Sequence, residues 1–264
     1  MEGRELEGRE PNDSSWELPP PRPALPGEEV HVWRALLDAP EVRVRRLLEL
    51  LAPDERERAA RFHFERDRRR FTVARGLLRG ILGGYLNSAP EALRFVYGAQ
   101  GKPALVAEQN PGGLRFNVSH SEGVALFAFA RGREVGVDVE RVSSRVSCEE
   151  IAGRFFSPGE VARLRALPAE LREAAFFDCW TRKEAYIKAR GEGLSLPLDG
   201  FDVSLGPGEP TALLANRLDP AEVARWSLRA LAPWPGVAAA VVAEGRGWRL
   251  KCWRLPEDEE SPAP

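Results

Sequence analysis

The segment Val135-Gly136-Val137-Asp138-Val139-Glu140 alternates without a break. Successive side chains of a strand point to opposite faces. Val135, Val137 and Val139 therefore share one face, and Asp138 and Glu140 share the other, about 7 Å apart along the strand. Three valines can pack into a core while the two acids look into a cleft. The plainer alternative is a half-exposed edge carrying two solvated acids, and this segment alone leaves both open.

Outward from this strand, Leu114 to Val118 and Val124 to Ala130 read as two more strands, joined by Ser119-His120-Ser121-Glu122-Gly123. Residues 158–167 and 170–189 read as helices, with strands again around 201–205 and 237–243. The second half is thus expected to be an antiparallel sheet with helices packed on it. The first half has a similar flavour. It offers a strand over Glu29 to Leu36 and a helix over residues 41–51 with Val44, Leu47, Leu48 and Leu51 at helical spacing. A second helix opens at Pro53-Asp54-Glu55, since proline and acids suit a first turn. The clearest helix runs from Arg68 to Leu86, with Phe71, Ala74, Leu78, Ile81 and Tyr85 on one stripe and Arg68, Arg75 and Arg79 on another. The chain reads as α+β, in two lobes meeting near residue 115: a first over 27–114 and a second, with the acids, over 115–255. Residues 1–26, with Pro19-Pro20-Pro21 and Pro26, are expected to form a flexible leader, and 256–264 a loose acidic tail.

Composition sets bounds on partners. The 264 residues are 43% hydrophobic and 30% charged, and the net charge of -2 gives no general attraction to nucleic acid or acidic membranes. Cys148, Cys179 and Cys252 form neither a zinc pattern nor a disulfide framework, which favours a reducing cytoplasm. The charged, proline-rich N-terminus has no apolar core of a secretory signal. No run approaches the roughly 20 apolar residues that span a bilayer.

The helix around Trp180-Thr181-Arg182-Lys183-Glu184-Ala185-Tyr186-Ile187-Lys188 carries the third acid. Phe177, Trp180, Glu184 and Ile187 share a face, so Glu184 interrupts an apolar stripe and needs a partner there. A metal ion would serve; a plain Glu184–Lys188 ion pair one turn apart is the alternative. Together Asp138, Glu140 and Glu184 offer oxygen donors for a hard cation, Mg²⁺ with Mn²⁺ as a substitute, which favours few carboxylates and the phosphate oxygens of a substrate. His120 reads either as a structural histidine or as a phosphate contact. The nucleophile elbow of serine hydrolases is absent, as are a P-loop and a dinucleotide fingerprint. Arg58, Arg61, Arg68, Arg75 and Arg79 read first as solvated helix faces. Lys102 differs, because Gly101 and Pro103 fix the backbone around it.

In order along the chain stand Glu57-Arg58-Ala59-Ala60-Arg61-Phe62, Gly101-Lys102-Pro103, Phe116-Asn117-Val118-Ser119-His120-Ser121, the 135–140 segment, Phe155-Phe156-Ser157, the 180–188 helix and Gly191-Glu192-Gly193-Leu194-Ser195. In this order the pieces resemble the 4′-phosphopantetheinyl transferases of the larger, surfactin-synthetase-activating type. The resemblance implies two similar α/β lobes related by a pseudo-twofold, with coenzyme A in the cleft between them, and a monomer that is a pseudo-dimer within one chain. It implies that Asp138, Glu140 and Glu184 bind the metal and that Lys188 lies near the pyrophosphate. Ser119 and His120 would contact phosphate, and Lys102, Arg58, Arg75 and Lys183 would help hold coenzyme A. Glu184, Lys188 and His120 would serve catalysis. The implied reaction moves 4′-phosphopantetheine from coenzyme A to a serine of an apo acyl or peptidyl carrier protein, releasing adenosine 3′,5′-bisphosphate. A Mg²⁺-dependent phosphohydrolase and a non-catalytic coenzyme A-binding module are the rivals that the same residues allow.

Overall fold

The computed structural model describes residues 15–144, 146–193 and 196–256. The leader's first fourteen residues, the tail beyond 256, and Leu194 and Ser195 lie outside the described residues. The first lobe runs β1 (Glu29–Leu36), α1 (Glu41–Glu49), α2 (Pro53–Ala60), α3 (Glu65–Leu86), a hairpin of β2 (Phe95–Tyr97) and β3 (Pro103–Leu105), then β4 (Leu114–Ser121) and β5 (Val124–Arg131). The second repeats that order: β6 (Val135–Arg141), α4 (Cys148–Phe155), α5 (Pro158–Ala166), α6 (Ala169–Arg190), the hairpin β7 (Phe201–Val203) and β8 (Leu213–Asn216), a short α7 (Glu222–Arg225), then β9 (Trp226–Leu231) and β10 (Val237–Glu244). A last strand, β11 (Arg249–Arg254), returns to pair parallel with β1. The sheet orders are β11-β1-β5-β4 and β6-β10-β9; apart from the added β11, the same three-stranded arrangement is used twice.

Three cores stack these elements into helix, sheet, sheet and helix. Val73, Leu77, Leu78 and Leu82 of α3 pack on Trp33, Phe127 and Phe129 of the first sheet. Phe176, Phe177, Ala185 and Tyr186 of α6 pack on Ala240 and Val242 of the second. Between the sheets lie Val30, Val32, Leu126 and Ala128 against Val135, Val137, Val139 and Val241. The central strands β5 and β10 are covered on both faces, so their sequences are nearly continuous apolar runs rather than alternating ones.

Sheet membership revises the expected division at residue 115. β4 and β5 complete the first lobe's sheet, so the second lobe begins at β6. Part of the expected leader packs on the fold. Trp16 packs against the edge of the core between the sheets and donates its Nε1–H to the Ala232 carbonyl at 3.0 Å, while Glu17 bridges to Trp253. A half-buried indole with a hydrogen-bonded N–H works against the ordering entropy of a proline-rich segment.

Candidate active site

The two acids of β6 stand on the face opposite the valines, as the alternation predicts: Asp138 is 2% exposed and Glu140 half-buried. That face meets α6, and Gly136 permits the contact. A Cβ at Gly136 would lie 2.1 Å from the Ala185 carbonyl oxygen. The missing side chain lets α6 press against the strand, which brings Glu184 and Lys188 beside Asp138. The sequence reading passed over Gly136; a lone glycine inside an otherwise regular strand was the available signal.

The other wall is β4. Asn117, Ser119 and Ser121 share one face of that strand and bond across the lobe boundary. Asn117 Oδ1 accepts the Val137 N–H at 2.9 Å, Ser119 Oγ donates to Asp138 Oδ1 at 2.7 Å, and Ser121 Oγ donates to Glu140 Oε2 at 2.7 Å. Side chains thus join β4 to β6 where no backbone ladder does. Lys188 Nζ donates to Ser119 Oγ at 2.9 Å and to Asp138 Oδ1 at 2.5 Å. The Glu184–Lys188 pair offered as an alternative is replaced by an Asp138–Lys188 pair.

Asp138 Oδ2 is buried and has no hydrogen-bond partner among the described residues. A buried carboxylate oxygen left unpaired is costly, and a cation is the partner that fits it. Burial first, then the charge of Asp138, pushes Glu184 above the ordinary carboxylate range, with Lys188 acting against them. Burial likewise raises Glu140, opposed by the Ser121 hydrogen bond. Such mutual destabilisation of ionised acids is relieved by a positive ion. Among the described residues no three His, Cys, Asp or Glu side chains form a ready-made metal cage. The donor set suits a hard ion that takes its remaining oxygens from water and phosphate. His120 stands at the open rim, where surrounding protein and the Lys188 charge lower its pKa and keep it neutral near pH 7. Arg70, bonded to Asp38 and not singled out by its sequence context, also acts on His120. Beside the acids, a cleft of about 290 Å³ is lined by Lys102, Val118, Glu184, Ile187, Lys188 and Gly191.

Three of the basic residues do other work. Lys183 is fully buried on another side of α6. Its Nζ pairs with Glu160 at 2.7 Å and donates to the carbonyls of Leu198 and Phe201, so it holds α5 and β7 rather than a ligand. Arg75 is committed to the buried Glu55, to Tyr97 Oη at 2.8 Å and to the Phe95 ring. Lys102 Nζ donates to the carbonyl of Lys188 at 2.8 Å. Arg58 remains exposed on α2, with its guanidinium over the Phe71 ring.

Comparison with known proteins agrees with this architecture. Residues 39–130 match the family model of the 4′-phosphopantetheinyl transferase N-terminal domain, and residues 134–242 match that of the 4′-phosphopantetheinyl transferase superfamily. The two matches divide where the two sheets do. The 4′-phosphopantetheinyl transferase HetI of Nostoc sp. is 43% identical over 239 residues, 90% of this chain and 98% of that protein. The transferase psf-1 of Bacillus pumilus is 35% identical over 70% of this chain and 78% of its own length. The transferase Sfp of Bacillus subtilis is 32% identical over 61% of this chain and 69% of its own. With this identity across nearly its whole length, the chain belongs to the 4′-phosphopantetheinyl transferase superfamily, as an enzyme of the two-lobed, Sfp-like type.

Proposed function

We propose that the cleft between β4, β6 and α6 takes the pyrophosphate of coenzyme A, and that a serine of an apo carrier protein receives its 4′-phosphopantetheine arm. The observation that carries this reading is the buried, unpartnered Asp138 Oδ2 set beside Glu140 and Glu184. Asp138, Glu140 and Glu184 would hold Mg²⁺. Bound there, the ion supplies charge neutralisation for the pyrophosphate. The protein's own groups do the rest. Lys188 offers an ammonium to the phosphate oxygens, already oriented by Ser119 and Asp138. Neutral His120 and the exposed Arg58 provide donors toward the nucleotide end, with Arg70 beside them. Glu184, with its elevated pKa, accepts the serine proton. The serine oxygen attacks the phosphorus bearing the pantetheine arm, the P–O bond to the leaving phosphate breaks, and adenosine 3′,5′-bisphosphate departs. No helix among the described residues is long and apolar enough to cross a membrane. We place the enzyme in the cytoplasm as a monomer, its three cysteines suiting neither zinc nor a disulfide framework.

Incubation with an apo carrier, coenzyme A and Mg²⁺ tests the reading by intact-protein mass spectrometry. The carrier should gain the mass of one phosphopantetheine. An unchanged mass across acyl and peptidyl carriers, with coenzyme A intact, would sink it.

A further inference from the structure

We propose that Lys102 is a positioning residue that fixes the C-terminal turn of α6 against β6, and so sets where Lys188 presents its ammonium. This inference rests on the transferase reading above and changes one residue's role within it.

The last carbonyls of a helix lack intrahelical donors and carry the negative end of its dipole. On α6 the Ile187 carbonyl is met by the Gly191 N–H. The next two are met from the other lobe. Lys102 Nζ donates to the carbonyl of Lys188 at 2.8 Å and to that of Ala189 at 3.4 Å. Its third contact is the carbonyl of Val135, at 3.4 Å, where β6 begins. An ammonium has three protons, and these three acceptors match them. The Glu134 carboxylate lies 3.5 Å away on the same nitrogen. One amine therefore ties the start of the strand that carries Asp138 and Glu140 to the end of the helix that carries Glu184 and Lys188. At Gly136, next to Val135, helix and strand approach too closely for any side chain to intervene.

The lysine is itself held in place. Its carbonyl accepts the Gly98 N–H at 3.0 Å, closing the β2–β3 turn, and Gly101 supplies a left-handed φ of 75°. Gln100 packs on Gly193, and the Lys102 stem lies against Gly191. A rigid tip from the first lobe thus caps a helix of the second. With three carbonyls and a carboxylate around it, the ammonium is occupied where a phosphate ligand would have to be free.

The test separates positioning from phosphate binding by kinetics of Lys102→Met and Lys102→Arg. Arginine serves a phosphate well, but its planar fork does not reproduce three donors on one nitrogen. Displacing reacting groups by about 1 Å costs on the order of 100-fold. We therefore expect both variants to lose turnover by about tenfold or more, with KM for coenzyme A within about threefold of the parent. Calorimetry with adenosine 3′,5′-bisphosphate should show unchanged affinity and unchanged stoichiometry per chain, so that the loss is not unfolded protein. A normal rate in Lys102→Arg, with a tenfold rise in KM for Lys102→Met, would restore the phosphate-ligand role. Parent-like kinetics in both variants would remove any role. Absence of transfer by the parent enzyme would instead count against the transferase reading.

Discussion

Matched by strand register, the first lobe has Trp33 where the second has Asp138, and Ala35 where it has Glu140. Trp33 and Ala35 pair with Phe127 and Ala125 of β5; Asp138 and Glu140 pair with Ala240 and Ala238 of β10, at the same places in two eight-residue strands. The long helices match as well. Both have 22 residues and end on a left-handed cap, Asn87 or Gly191. Counting along them sets Gly80 against Glu184 and Gly84 against Lys188. Across the seam, β4 offers Ser119 where β9 has Leu231, because they face Leu126 and Ala239. Among the described residues the cleft occurs once; at its counterpart Trp33, Ala35 and Leu231 take the places of the acids and of Ser119, and the helix offers only Gly80 and Gly84. On the other face of β1 the Trp16 indole donates to the Ala232 carbonyl, and the Trp16 and Trp234 rings each lie 5.1 Å from the Arg34 guanidinium.

What the lobes share is equally informative. In the first, Arg79 of α3 pairs with Glu55 of α2; in the second, Lys183 of α6 pairs with Glu160 of α5. Both acids sit in the third position of a helix and accept the backbone N–H of the residue before it, Ala52 or Ser157, and both cations sit at the same place in the long helix. A feature present in both lobes serves folding, whereas one present in a single lobe serves the site. On this criterion Lys183 is assigned to folding and Lys188 to the proposed site, although both stand on one motif.

The comparison breaks most sharply at the acids. Glu184→Gln and Asp138→Asn should each lower kcat/KM for carrier modification by roughly 100- to 1,000-fold, the range for removing a group that acts on transition-state charge. Gly80→Ala, at the matching place in α3, should leave activity within about twofold. With open space around Gly80 it should also stabilise the helix by about 0.5–1 kcal/mol. A comparable loss of activity in Gly80→Ala would mean that the first lobe holds a second site.

The paired cations come next. Lys183→Met takes from buried Glu160 its paired cation, and should lower the unfolding free energy in urea by about 3–5 kcal/mol; Arg79→Met leaves Glu55 its second cation, Arg75, and should cost less. Were Lys183→Met instead to raise KM for coenzyme A at unchanged stability, the equivalence of the two lobes would fail.

The smallest effect is in pH. Glu184 and Glu140 have raised pKa values in the folded protein, so the folded state holds their protons more tightly. Their contribution to stability is complete below the ordinary glutamate value, about 4.3, and is lost as pH rises through the raised values. Chelator-treated protein should therefore lose roughly 1 kcal/mol per unit of raised pKa over that interval. Added Mg²⁺ should flatten the decline and release protons on binding, measurable by calorimetry in buffers of different ionisation enthalpy. A decline that Mg²⁺ leaves untouched would detach the acids from the metal.

Much of the site was legible because it lies on regular elements. Strand alternation placed Asp138 and Glu140 together, and helical spacing placed Glu184 and Lys188 together. The basic residues were less legible. Arg75, Lys102 and Lys183 are positive groups whose partners lie fifteen or more residues away in the chain, on other elements. The strand β11 was missed because its pairing with β1 joins the two ends of the fold. The lobe boundary was misplaced because β4 supplies one lobe's sheet and the other lobe's site.

By itself the sequence determined the alternation of residues 135–140, the two long helices, and the family through motifs in fixed order. These are properties of periodicity and local chemistry, which the chain carries whatever it packs against. The tertiary structure decided which cation meets which carboxylate. Lys183 and Lys188 differ by about 140° around α6. Periodicity gives that angle, but not which direction faces the acids. The close approach at Gly136 sets the orientation. It turns Lys188 to Asp138 and Lys183 to Glu160, because backbone can contact backbone only where no side chain intervenes.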